Sequence, residues 1–308
     1  MRGRPRSAII DFVPRSGQEA APTPPEPKQV LERLDELPPL PQSTIELGEL
    51  IEDPRSTPLA LARLIEKDVS LAARVLRMAN SAFYGIAGGV DSLERAVCFL
   101  GFSTIHQIAV YLQSRQILDG AGARPPEALW HHAHQVARAA RELAQQMRWP
   151  MVARFYAAGL LHDLGRVALF CLFPERAQRW KPSGAKRAKR LAEERAVFGL
   201  DHQTAGVRLA RRWRYPVSLL AVIAGCHGED NAAQAQENEE NLLLAAVSFA
   251  DGLARAQDDD KGIAGVEIAP DPAAHARLGI SAEEQESLAN LLRSELSTSE
   301  DNEDSHER

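Results

Sequence analysis

Histidine and aspartate recur in the second half of the chain at separations that no local turn explains. His131, His132 and His134 stand in "LWHHAHQVARAARELA". His162 and Asp163 close the apolar run of "LLHDLGR". Asp201 and His202 open "DHQTAG", His227 follows Cys226 in "AGCHGED", and Asp251 interrupts "AAVSFADGLA". Imidazole and carboxylate are the donors that hard and borderline divalent cations accept, so the set points to a metal site. Singly, each histidine reads better as a hydrogen-bonded core residue, and the metal reading rests on the set. Asp251 is the hardest to dismiss, because a carboxylate buried on an apolar helix face needs a partner.

Such donors, spread over some 120 positions, must be carried by separate helices and meet between them, as in metal-binding helical bundles. Neighbouring residues on a helix point about 100° apart. His162 and Asp163 can therefore reach one ion only from a helix end, or serve two neighbouring ions, and Gly165 suits an end. The spacing of apolar residues is helical almost throughout and no alternating strand pattern is convincing, which predicts an all-α chain. In the first half, "TPLALARLIEKD", "SLAARVLRMAN" and "DSLERAVCFLGF" each place apolar residues on one face. Ser43 or Thr44 is expected to cap a helix bearing Ile45, Leu47 and Leu50. Ser92 is expected to start a helix that Gly101 stops. Helices are expected in the second half at 128–148, 151–164, 187–198, 201–213, 216–227 and 241–256, with a loop over 257–281. The Pro-rich turn near residue 124 separates two helical lobes. The expected organisation is a disordered leader (1–28), an N-terminal lobe (29–124), a second lobe (125–281), and a C-terminal helix with an acidic disordered tail (282–308).

With 308 residues, 44% hydrophobic and 25% charged, most of the chain can be packed around a core. The net charge of −6 offers no general attraction to nucleic acid or anionic membrane. No DNA-reading helix pair or aromatic platform stands out, so direct nucleic-acid binding is not expected. No apolar run is expected to reach the ~18 residues of a membrane span, and the N-terminus does not read as a signal peptide. Cys98, Cys171 and Cys226 form no CxxC pair, which favours a reducing cytoplasm and disfavours a thiolate zinc site. The basic stretch 181–195 and Arg211, Arg212 and Arg214 read as solvated helix faces. Trp130, Phe99 and Phe102, and Phe83 and Tyr84 of "SAFYG", read as packing residues.

The order of motifs resembles the HD superfamily of metal-dependent phosphohydrolases, whose H…HD…D pattern is carried here by His132, His162-Asp163 and Asp251. Val136, four residues after His132, selects that histidine among its neighbours. More narrowly, residues 30–256 resemble the HDOD domain, an HD-related output domain of bacterial signalling proteins. The Pro-rich entry "LPPLPQS", "DVSLAARVLRMANSAFYG", "LERAVCFLG", "LLHDLGR" and "FGLDHQTAG" come in that family's order. The resemblance implies a two-lobed all-α HDOD architecture with a C-terminal HD-like bundle. It also implies a divalent ion (Fe, Mn, Mg or Zn) on His132, His162, Asp163 and Asp251, with Asp163 the residue on which catalysis would depend. His202 and His227 match second-metal positions of the related HD-GYP phosphodiesterases. The departures are Cys226-His227 in place of a His-His pair, the absence of a GYP segment, and Arg166 in place of the lysine after the HD pair. The expected function is that of a bacterial, cytoplasmic regulatory module acting through other signalling proteins, with negligible hydrolysis of cyclic di-GMP. The alternative is a metal-dependent phosphohydrolase acting on a nucleotide or another phosphate ester.

Overall fold

The computed structural model describes residues 23–53, 55–80, 86, 88–149, 152–180, 187–226, 239–257 and most of 278–290. These residues form fourteen helices and, among themselves, no strand, as the apolar periodicity predicts. Residues 1–22 of the expected disordered leader, the acidic tail, His227, Phe83, Tyr84 and most of the 257–281 loop lie outside the described residues; the end of the expected leader is ordered, Glu26 capping α1 and Pro27 and Lys28 opening it.

Two apolar cores organise the chain. The smaller is built by α2 (Gln42–Glu52), α3 (Pro58–Glu66), α4 (Val69–Ala79), α5 (Leu93–Leu100) and the first half of α6 (Phe102–Gly120). It packs Leu47, Leu61, Ile65, Leu71, Val75 and Ile105. Local signals set these helices. Thr57, Asp68 and Ser92 each accept a backbone N–H of the first turn through their side chains, supplying groups that the helix leaves unpaired. Gly101, at φ 79°, ends α5 in a conformation that favours glycine. The expected cap at Ser43 or Thr44 is corrected: Pro41 precedes α2, and Thr44 lies inside the helix, buried. Phe99 is corrected too, being 60% exposed on α5.

The larger core belongs to α7 (Glu127–Gln146), α8 (Val152–Leu161), α9 (Leu164–Leu172), α10 (Pro174–Arg179), α11 (Arg187–Phe198), α12 (His202–Arg212), α13 (Val217–Gly225) and α14 (Glu239–Gln257). The first helix, α1 (Pro27–Glu36), and the entry residues Leu37 and Leu40 pack here rather than in the smaller core. Trp213 Nε1 donates to Pro38 O at 3.1 Å, and Arg208 pairs with Asp35 on α1. Helix α6 joins the two cores, giving Ile105 and Ile108 to one and Tyr111 and Leu118 to the other.

Close helix approach in the larger lobe depends on small residues. A Cβ on Gly159 would fall 2.5 Å from Ala137 Cα, so α8 lies against the alanine-rich face of α7. A Cβ on Gly165 would fall 1.9 Å from His202 O and 2.4 Å from Gly206 N. Gly165 therefore sits inside α9 and admits α12; it does not end a helix. The break itself comes at His162-Asp163, between α8 and α9, and α9 is an element the apolar pattern did not separate. Against expectation, Arg154–Leu172 is apolar enough in composition and length to cross a membrane. That stretch is buried among the other helices, as the core helix of a globular protein is.

Candidate functional site

The break between α8 and α9 places His162 and Asp163 in the interior, facing α7, α11, α12 and α14. His162 is oriented by its own helix, its Nδ1 donating to Gly159 O at 2.6 Å. Its Nε2 lies 3.6 Å from both Asp163 Oδ2 and Asp251 Oδ1. From α7, His132 Nε2 meets the same Asp251 Oδ1 at 3.0 Å. Ligand atoms of His132, His162 and Asp163 all fall within 4.8 Å of one another. The H…HD…D residues thus converge across 119 positions of sequence. His131 is exposed. His134 bonds elsewhere, to Tyr111 Oη at 3.0 Å and Tyr156 Oη at 3.3 Å, tying α6, α7 and α8 together.

His202 enters from the first turn of α12, with Nε2 3.5 Å from Asp163 Oδ1. Its Nδ1 is 2.5 Å from Glu194 Oε2, which also accepts the His202 backbone N–H at 2.9 Å. Asp201 takes no part in the cluster: it caps α12 through Thr204 N and pairs with Arg195. Cys226, buried at the end of α13, brings its thiol 4.0 Å from His162 O.

Three buried arginines complete the centre. Arg166 donates through Nη1 to Asp163 Oδ2 and through Nε to Glu194 Oε1 at 3.1 Å. Arg255 Nε donates to Asp251 Oδ1 at 2.7 Å, while its Nη2 lies 3.6 Å from Asp163 Oδ2. Arg190 is buried beside them. Burial pushes its pKa down to about 10, and Arg255 is the neighbouring charge that weighs most. Burial opposes ionisation of Glu194, yet His202 and Arg166 hold its carboxyl down to about 2. Burial and the Arg255 guanidinium lower the His132 pKa. Burial alone would do the same to His162, but Asp163 and Asp251 outweigh it and raise that pKa.

Glu194, Arg190 and Arg255 were not singled out from sequence. Arg255 stands four residues after Asp251, a spacing that puts both on one helix face. Arg190 and Glu194 show the same spacing within the stretch read as a solvated face. That reading is corrected for Arg190, Leu191 and Glu194, which are buried.

The donors test in two ways against the ion that the family resemblance implies. Ligands about 2.1 Å from an ion stand about 3–3.5 Å apart, and the 3.0 and 3.6 Å separations here are close to that. The charges do not agree. Asp251 Oδ1 and Asp163 Oδ2, the carboxylate oxygens that face His162 Nε2, already accept from Arg255 and Arg166. As they stand, the residues do not fit a divalent cation.

An all-α, two-lobed protein with a buried His/Asp centre between its helices is an HD-type protein. Residues 37–228 match the HDOD domain, and the chain belongs to that family. An uncharacterized protein of Treponema pallidum (strain Nichols) is 25% identical over 233 residues, covering 75% of this chain and 44% of its own length. The chain therefore spans under half of that relative. Of solved structures, an HDOD domain protein of unknown function from Geobacter sulfurreducens has a TM-score of 0.62 at 23% identity, covering 88% of this chain and 96% of its own. A candidate signal-transduction protein of Marinobacter aquaeolei VT8 has a TM-score of 0.62 at 25% identity, covering 87% and 59%.

Proposed function

We propose that the chain is a bacterial, cytoplasmic regulatory module that acts by binding other signalling proteins, and that its HD centre is a structural hub. One observation carries this reading. Arg166 stands where the related phosphodiesterases have the lysine after the HD pair, and it is turned inward, committed to Asp163 and Glu194. A basic side chain spent on two internal carboxylates has no free donor face for a phosphoryl group. The hub ties α7, the α8–α9 break, α11, α12 and α14 together. The smaller lobe supplies surface for a partner: Leu59 on α3, Val69 on α4 and Phe99 on α5 are exposed large apolar side chains. The likeness to a candidate signal-transduction protein supports the same reading.

Incubation with cyclic di-GMP, nucleoside monophosphates and a generic phosphodiester, with Mg, Mn or Fe(II), tests it. No product above a protein-free control is expected. Turnover that Asp163→Ala abolishes would replace this reading with the phosphohydrolase.

A further inference from the structure

We infer that the guanidinium of Arg255 stands in the HD centre in place of a divalent ion, bridging the two carboxylates that would ligate it. The geometry is specific. Asp251 comes from α14 and Asp163 from the α8–α9 break; Arg255 hydrogen-bonds Asp251 through Nε at 2.7 Å and stands within ion-pair range of Asp163, its Nη2 3.6 Å from Oδ2 and beyond hydrogen-bond distance. The oxygens it faces, Asp251 Oδ1 and Asp163 Oδ2, are those that lie 3.6 Å from His162 Nε2. An ion bonded to these oxygens would be forced against a buried cation. Arg255 has little room to leave, since its side chain is 5% exposed and is anchored one helical turn from Asp251.

The charge count agrees. Asp163, Asp251 and Glu194 bring three negative charges into the interior, and Arg166, Arg190 and Arg255 bring three positive ones; all six side chains are buried. With its histidines neutral the centre is balanced before any ion enters, and a divalent ion would leave two uncompensated positive charges out of water; a proton on His162, which Asp163 and Asp251 favour, would only add to that excess. Arg190 completes the balance without a carboxylate contact, its Nη2 having no hydrogen-bond partner among the described residues. The inference concerns the centre alone. Refusal of metal would leave the regulatory reading untested, and metal-free phosphoester turnover would remove that reading while leaving this one.

The experiment is equilibrium dialysis of untagged protein against Mn(II) and Zn(II) after chelator treatment, with metal analysis and thermal melts. The wild-type protein is expected to retain well under one ion per chain and to melt identically with chelator or Mn(II). Arg255→Met removes the charge while keeping an apolar stem. It is expected to bind one ion about ten-fold or more tightly than wild type and to melt higher with Mn(II). Arg255→Lys keeps a cation and should refuse the ion as wild type does. Asp251→Asn added to Arg255→Met should abolish the gained binding. One chelator-resistant ion in the wild-type protein would overturn the inference. So would an Arg255→Met protein that folds and gains no affinity, because Arg255 would then not be what keeps the ion out. Should Arg255→Met fold only when Mn(II) is supplied, the ion is replacing the guanidinium, as inferred.

Discussion

The smaller core and the HD centre solve the burial problem in opposite ways. In the smaller core, α3, α4 and α5 each start on a side-chain cap and pack Leu61, Ile65, Leu71, Val75 and Val97 into one apolar cluster. Its buried imidazole, His106, lies against Gly48 and needs little beyond its backbone contact at Thr44. In the larger lobe, Asp163, Asp251, Glu194, Arg166, Arg255, His132, His162 and His202 are buried together and are held by one another's charges and hydrogen bonds. Removing an apolar side chain leaves a gap that neighbours partly fill, whereas removing one member of an ionic hub strands the rest.

The largest effect should therefore come from Asp251→Ala. It strands Arg255 and His132 in the interior, and breaking a buried pair typically costs about 3–5 kcal/mol. Urea denaturation should show a loss of that order. A loss below about 1 kcal/mol would mean that the hub is not a hub. Next is Gly165→Ala. The added methyl meets the backbone of His202 and Gly206, which cannot rotate away. Overpacking of this kind costs about 1–3 kcal/mol, and here the upper end is expected because α12 must move as a whole.

Acid should act on both regions through buried histidines. Burial pushes the His106 pKa down to about 4. Folding favours its neutral form, so its contribution is complete above about pH 6.5 and is lost progressively as pH falls toward 4. At pH 5.5 that loss is about 1 kcal/mol. Glu194 has its pKa depressed to about 2, so it contributes above its unfolded value and loses that contribution only between about pH 4.5 and 2. His134, at about 4, works in the same direction as His106 from the larger lobe. The measurement is therefore the difference that His106→Gln makes. Its stability should fall less steeply than wild type between pH 6.5 and 5, and parallel curves would refute the assignment.

The contrast also explains what could be read in advance. Ser92, Gly101 and the apolar spacing of α3 to α5 are local features, and they foretold the smaller core well. Asp251 announced a partner because a carboxylate on an apolar helix demands one, and of the three neighbouring histidines it is His132 that meets it. The partner itself was hidden. Arg255 looks like one more surface arginine until the helix face is known. Glu194 and Arg190 lie in "KRAKRLAEER", where composition suggests solvent and tertiary packing overrides it. The α8–α9 break was recognised as a helix end, but "LGRVALFCL" is buried on every side, Arg166 included, and carries no polar face to mark a second helix. Phe99 misled for the converse reason, since an aromatic residue in a helix does not declare which side faces out.

The smallest expected effect reuses the chemistry of the hub where water is present. Arg208 and Asp35 form a two-point pair, Nε to Oδ1 at 2.9 Å and Nη2 to Oδ2 at 2.5 Å, linking α12 to α1. Arg208 holds the Asp35 carboxyl below its ordinary value. The geometry is as good as that of Arg255 on Asp251, but the two side chains are 49% and 37% exposed. Each ion keeps much of its hydration, so little is gained on pairing and little is lost on separation, and dissolved salt screens what remains. Asp35→Asn should lower the melting temperature by only about 1–2 °C at low ionic strength and by nothing measurable in about 1 M salt. α1 should stay docked through Val30, Leu34 and Leu37, which are buried in the larger core. A large, salt-insensitive loss would mean that geometry rather than burial sets the strength of these pairs, and the contrast between hub and surface would fail.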